Sequence, residues 1–413
     1  METLQRTANR GSVSTGYDVA NSAKFEDDND ERMYKAISST NQRTFTVSVW
    51  LKRTELGYRR TWGAGASGND EFFFYFDAND YLNIYSYTSG AYQLRFVSNA
   101  VFRDTAAWYH FVFQVDTTQS TEANRFKIYV NGVQLTSFST STYPSQNADI
   151  QITNNFWVGT QRGESPDFSG YITEFVYLDG TSAAQTDFGE FDDDSGIWKP
   201  KDVSGLTFGT NGFHLDFEDA SNLGNDANGG TDFTLVNISS ADQATDTCTN
   251  NFATLNPLFK YPSSQVINEG ATKVDRTSGS GINKTFYATI PVLAGKFYFE
   301  AQPTEGSGTM IGVETITGVT TDDPDSVYVG EQSTAVGYYA SNGQKFTGAS
   351  GSSYGDSYGN SDIIGVALDM DNRKVYFAKN NTYQNSGDPT SGSTGTGAID
   401  LPDSTDGYVF AVS

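Results

Sequence analysis

The chain of 413 residues is rich in aromatics (14%) and poor in charged residues (18%), and its 50 Asp and Glu against 26 Lys and Arg give a formal charge of −24. Length alone predicts two or three domains, at roughly 100–200 residues each. A surface this acidic excludes nucleic acid and an anionic bilayer as general partners, because both are recognised by clustered positive charge.

Residues 1–20 are polar and aperiodic and are expected to form an arm. Strand signals begin beyond them. Phe45, Val47, Val49 and Leu51 alternate with Thr46, Ser48 and Trp50, the period of a half-buried strand. EFFFYF (71–76) and YLNIYSY (81–87) predict two strands around a turn on Asp77, Asn79 and Asp80. WYHFVFQVD (108–116) is another. FKIYV (126–130) and VQL (133–135) flank Asn131-Gly132, a dipeptide that suits the positive φ of a tight hairpin. FWVGT (156–160) and GYITEFVYLD (170–179) continue the series, and a short strand is expected over His214–Phe217. Residues 241–280 are rich in Ser, Thr and Asn without a period and read as a linker. From 281 onward strands resume: Phe297 and Phe299 point one way, and Lys296, Tyr298 and Glu300 the other. Long amphipathic helical runs are missing, so the expected fold class is all-β, with two antiparallel β-sandwich (jelly-roll) domains in tandem at 21–240 and 281–413.

The first of these resembles a laminin G-like, concanavalin A-type sandwich. The resemblance rests on Trp108 and His110 before an apolar strand, the hairpin Tyr129–Gly132, and then Gly159, Gly170 and Glu174. The second resembles a SPRY domain through Gly295–Glu300, Ile311–Val313, Gly337, Asp362–Asp371 and Val375–Asn380, with Phe297 where the family carries Trp. The SPRY pattern runs on to a further closing strand, so this domain is expected to lack its last strand and to leave Phe410 and Val412 on an open edge. The tandem as a whole is similar to virion-associated proteins of marine bacteriophages. That resemblance implies a fibre, spike or decoration protein on the virion surface. Such a protein would fold in host cytoplasm, assemble with other virion proteins and with copies of itself (as a trimer or attached to a symmetric core), and adhere to host surface glycans.

The single cysteine, Cys248, permits no intrachain disulfide, no N-terminal segment reads as a secretory signal, and no apolar run reaches the ~18 residues that span a bilayer. Two histidines, His110 and His214, cannot assemble a zinc site, and no nucleophile elbow is present. The enzymatic rival is polysaccharide hydrolysis of the laminarinase type, for which the nearest string is Glu190 to Asp194, including Asp192; it lacks the second Glu that facing carboxylates require. No enzyme is therefore expected, and a purely structural capsid or tail component is the other alternative. Calcium is the one ion the sequence suggests, at Asp77, Asn79 and Asp80 and at Asp219, Asp226 and Asn228, where turn carboxylates and amides cluster. Glycan contact is expected at loop-adjacent aromatics: Tyr58, Trp62 and Tyr92 in the first domain, Tyr354 and Tyr358 in the second.

Overall fold

The computed structural model describes residues 16–38, 40–259, 265–276, 284–304, 308–321 and 326–413. Most of the predicted arm, residues 1–15, lies outside these. The chain divides into two units, Met1–Phe252 and Ala253–Ser413.

The first unit contains β1 (Ser22–Phe25), β2 (Arg32–Ile37), β3 (Thr44–Arg53), β4 (Arg59–Ser67), β5 (Asp70–Phe76), β6 (Tyr81–Thr88), β7 (Ala91–Val101), β8 (Trp108–Asp116), β9 (Phe126–Val130), β10 (Val133–Leu135), β11 (Phe138–Thr142), β12 (Asn154–Val158) and β13 (Gly170–Asp179). Shorter strands follow: β14 (Gly189–Phe191), β15 (Trp198–Pro200), β16 (Phe213–Leu215), β17 (Thr234–Val236) and β18 (Gln243–Ala244). One sheet runs β10-β9-β8-β3-β13-β1-β18, with β16 also on β13; the other runs β11-β7-β6-β5-β4-β12-β2-β17. The pairings between these strands are antiparallel, as predicted. Asn131 and Gly132 both adopt positive φ in the β9–β10 hairpin. Gly132 serves a second purpose, because a Cβ there would come within 2.3 Å of the Trp198 ring.

Between the sheets lies a core of aromatic rings. Trp62 sits in it with no exposure, against Phe72, Phe74, Phe113, Phe156 and Phe175. On β3, Phe45, Val47, Val49 and Leu51 face this core, as their alternation predicts. The expectation that β3 is only half-buried fails, because Thr46, Ser48, Trp50 and Lys52 are buried too. The cause is a third layer. Residues after β13 fold back over the outer side of the first sheet and pack Phe188, Val203 and Phe208 on Val112, Val176 and Leu178, and Trp198 with Trp50, Trp108 and Tyr171.

The predicted linker, 241–280, is likewise divided between the units. Gln243 and Ala244 pair with β1. Asp246 is buried, accepting from Lys52 Nζ at 2.7 Å and from Trp108 Nε1 at 2.9 Å. Leu255 bridges Ala288 within the second unit.

That unit comprises β19 (Gln265–Asn268), β20 (Lys273–Arg276), β21 (Phe286–Tyr287), β22 (Lys296–Ala301), β23 (Met310–Thr315), β24 (Ala335–Tyr339), β25 (Gln344–Thr347), β26 (Ser350–Ser353), β27 (Ile364–Asp369), β28 (Lys374–Lys379), β29 (Thr382–Tyr383), β30 (Ile399–Asp400) and β31 (Tyr408–Val412). Its sheets run β21-β31-β23-β24-β25-β26 and β22-β27-β28-β29, with β30 also on β28. Phe297 and Phe299 pack on the core between them, as the alternation predicts. The expected open edge is absent: β31 is paired with β23 on one side and with β21 on the other, and Phe410 is buried. Among the described residues, no helix is long and apolar enough to cross a membrane.

Candidate functional site

β5 carries aromatics at both parities and so presents rings on both faces, and β6 adds Tyr85 and Tyr87 at a single parity. Phe72, Phe74, Phe76, Leu82 and Ile84 enter the core. Phe73, Tyr75, Tyr85 and Tyr87 turn to the opposite, outer side of the second sheet. Strand register aligns two rows across that side, over β2, β12, β4, β5, β6 and β7. One reads Tyr34, Trp157, Gly63, Phe73, Tyr85, Arg95. The other reads Ala36, Asn155, Gly65, Glu71, Tyr87, Tyr92. Five inter-strand spacings make each row about 24 Å long.

The rings are arranged in two clusters. Tyr34 and Trp157 lie 4.6 Å apart between centroids at one end. At the other, Tyr92 stands edge-on to Tyr87 at 4.2 Å and to Tyr85 at 5.8 Å, and Tyr75 contacts Tyr58 at 5.2 Å. Tyr34, Trp157, Tyr75, Tyr85 and Tyr87 are half-buried, while Tyr92 is 41% exposed. Phe73 is buried beneath, its ring so close to Gly63 that a Cβ there would lie 2.9 Å from it.

Polar groups converge between the clusters. Glu71, itself buried, accepts from Tyr85 Oη at 2.7 Å and from Gln161 Nε2 at 2.7 Å, and lies 3.0 Å from the Arg162 guanidinium. Gln161 Nε2 also donates to Tyr85 Oη at 3.1 Å. Burial, with the hydrogen bond and charge of Glu71 added, raises the Tyr85 phenol well above its usual range. Burial pushes Tyr75 up to about 12. These phenols remain protonated donors at any ordinary pH. Half-exposed rings flanking a fixed set of donors and acceptors form a surface that suits a ligand with both apolar faces and hydroxyls.

Of the aromatics expected to contact glycan, Tyr58 and Tyr92 lie on this side. Trp62 does not, being at the centre of the core. Tyr354 and Tyr358 are 6% and 5% exposed and pack on Tyr338 inside the second unit, so their Gly/Ser-rich surroundings cover them instead of displaying them. Tyr34, Trp157, Tyr75, Tyr85, Tyr87, Glu71, Gln161, Arg162 and Arg95 are additions that only cross-strand register reveals, although the double-parity aromatics of 71–87 were a visible sign.

The calcium candidates do not gather into a cage, and no cluster of three or more His, Cys, Asp or Glu is placed to hold a metal among the described residues. Asp77 accepts from the backbone N–H of Asn79 and of Tyr81, closing its own turn. Asp80 binds Arg53 at 3.0 Å, Arg103 at 2.8 Å and the Gly57 N–H at 2.6 Å; although burial opposes it, these donors hold its carboxyl below the usual range. Asp219 accepts from Ser221 in a local turn. Asp226 is ion-paired with Lys35 at 2.9 Å and accepts the N–H groups of His214 and Asn228. The carboxylates of these candidates are engaged by cations and by turn N–H groups. Glu190 and Asp192 share one strand-loop segment and both face Lys199, at 3.5 and 3.2 Å.

Both histidines lie under the third layer, away from the ring rows. His110 is stacked on Trp50 and held by Ser48 and Trp198. His214 Nε2 lies 3.0 Å from Glu174, which also accepts from Tyr17 at 3.2 Å. Burial pulls the His214 imidazole down, but the hydrogen bond and charge of Glu174 outweigh it, and the net shift is upward. Glu174 occupies a β-bulge of β13 with a positive φ of 46°. In the second unit a polar hollow is lined by Thr315, Thr317, Thr334, Arg373 and Asp403–Asp406, where Asp403 pairs with the arginine.

Residues 27–186 match the concanavalin A-like lectin/glucanases superfamily, and residues 296–393 match the SPRY domain. A stretch of 109 residues is 36% identical to the dual specificity protein kinase splA of Dictyostelium discoideum; it is 26% of this chain and 4% of that protein's length. Among solved structures, a proposed carbohydrate-binding protein from Bacteroides ovatus is 15% identical, with a TM-score of 0.39, covering 56% of this chain and 61% of its own. A human SPRY domain is 19% identical, with a TM-score of 0.28, covering 36% of this chain and 88% of its own. The chain thus carries a concanavalin A-like module followed by a SPRY module.

Proposed function

We propose that the outer side of the second sheet of the concanavalin A-like module binds a carbohydrate chain without cleaving it, and that the protein is an adhesin displayed on a virion. The observation that carries the binding reading is the row from Tyr34 and Trp157 to Tyr85, with the buried Glu71 fixed beside it in the neighbouring row. Sugar rings have apolar faces that stack on aromatic side chains, and equatorial hydroxyls that need donors and acceptors at the edge. A row of about 24 Å accommodates several sugar units. The family match to lectins and glucanases supports a saccharide over other amphipathic ligands.

Binding without hydrolysis is supported by the acids present. Glu71 is the one carboxylate in the two rows, whereas hydrolysis needs two that face each other across the sugar. Glu190 and Asp192 are tied to one lysine. The virion setting, the virion partners and self-assembly rest on the sequence resemblance, and finding the chain on purified particles tests them.

The binding test is a polysaccharide array and affinity electrophoresis with the full chain. Trp157→Ala and Tyr34→Ala should each weaken retardation about tenfold or more, as loss of a buried aromatic contact does, with the melting temperature nearly unchanged. Unaltered retardation in both variants removes this surface as the site, and release of reducing ends removes the non-enzymatic reading.

A further inference from the structure

We infer that the carbohydrate is an acidic polysaccharide, whose carboxylate or sulfate groups are received by Arg95. This deepens the binding reading above and rests on it. The described cations of the first unit are otherwise engaged. Most pair with carboxylates, from Lys24 with Asp242 to Arg162 with Glu71. Arg125 and Lys201 donate to backbone carbonyls. Arg95 and Lys127 do neither among the described residues, and Lys127 lies on β9 of the other sheet.

Arg95 closes the row of rings, in register with Tyr85. Its guanidinium rests on Tyr92, 4.7 Å from the ring centroid. Stacking of this kind restrains the long side chain and leaves the planar fork of N–H donors free for a two-pronged oxyanion. In a chain with 50 carboxylates, a half-exposed arginine bordered by phenols instead of acids is out of keeping with its surroundings. An isolated small anion would use Arg95 alone. A polymer of acidic sugars would meet the arginine with one unit and stack its neighbours along the row.

The test uses the full chain in affinity electrophoresis against two neutral polymers, a β-glucan and a β-mannan, two polyuronates, alginate and polygalacturonate, and a sulfated galactan, carrageenan. The inference expects acidic polymers of at least one class to retard the protein more strongly than both neutral ones. It also expects Arg95→Gln to weaken that binding about tenfold, the scale of one charge-assisted contact, and Arg95→Lys to restore part of it, with the neutral polymers unaffected. The uronate and sulfate arms identify the acid group. Equal retardation by neutral and acidic polymers, or an Arg95→Gln variant that binds the acidic ones unchanged, overturns the inference and leaves the carbohydrate reading standing. No retardation by any polymer overturns both.

Discussion

His110 receives the Trp198 indole N–H on Nδ1 at 2.9 Å, so that nitrogen carries no proton. The proton is on Nε2, where it is donated to Ser48 Oγ at 2.7 Å. A second proton would set two N–H groups against each other in a fully buried site, and burial lowers the imidazole pKa from 6.5 to about 3. The unfolded chain therefore binds a proton below pH 6.5 that the folded chain refuses, and stability falls with pH across the window from 6.5 to about 3. The slope from this one residue is about 1.4 kcal/mol per pH unit. Asp167 acts in the opposite sense, because burial raises its carboxyl to about 6, so the contribution of His110 is read as a difference. Urea melts at pH 6.5 and pH 5 should show His110→Gln losing about 2 kcal/mol less on acidification than the unaltered chain. An equal loss in both would mean that His110 does not carry the acid sensitivity. The role of Trp108 and His110 was legible only as a sequence resemblance. Their partners, Asp246 and Trp198, are 138 and 88 residues away, and nothing local announces the pairings.

The strands of the sandwich were written in their alternation, and β3, β5, β6, β8 and the β9–β10 hairpin fall where the pattern put them. The layer over the first sheet was not. Its strands are three residues long, too short to show a period, and turns on Asp192 and Asp219 hold the segments between them. Polar anchors fix this layer in place. Lys52 has no exposure and donates to Asp246, Asn251 Oδ1 and the Phe252 carbonyl. Burial lowers the ammonium pKa, and Asp246, 2.7 Å away, opposes that with its charge and hydrogen bond. Asp246→Ala should destabilise the first module by about 3–5 kcal/mol, since it strands a buried cation. It should also make residues 245–252 the first site of limited proteolysis. A melt within about 0.5 kcal/mol of the original would show that the layer is held by its apolar contacts alone. The aromatic face was half legible for a related reason. Rings on both parities of 71–87 say that both sides are apolar, but which rings align across six strands is decided by register, and single-strand patterns do not contain it.

At the scale of the whole chain, an excess of 24 negative charges faces a ligand inferred to be acidic. The repulsion is long-ranged and the attraction at Arg95 is short-ranged, so salt acts on them unequally. At ~0.15 M the screening length is about 8 Å, which suppresses the former while leaving a contact pair and stacked rings largely intact. Affinity for an acidic polymer should therefore hold or rise as salt increases from low millimolar to that range. Titration calorimetry checks it, and a steep fall, as a basic patch would give, would place the contact elsewhere.

The placement of Tyr408–Val412 bears on how the second module is made. Last of that module's strands to leave the ribosome, it lies between two that emerge far earlier, Phe286–Tyr287 and Met310–Thr315. Until it arrives, those two have no common partner and the sheet stays split, with Val313 and Tyr338 on one fragment of an unfinished core. The SPRY module must therefore wait for Tyr408–Val412 to be made before it can close, while the preceding sandwich, whose strands are all at hand by Ala244, is free to fold earlier in synthesis.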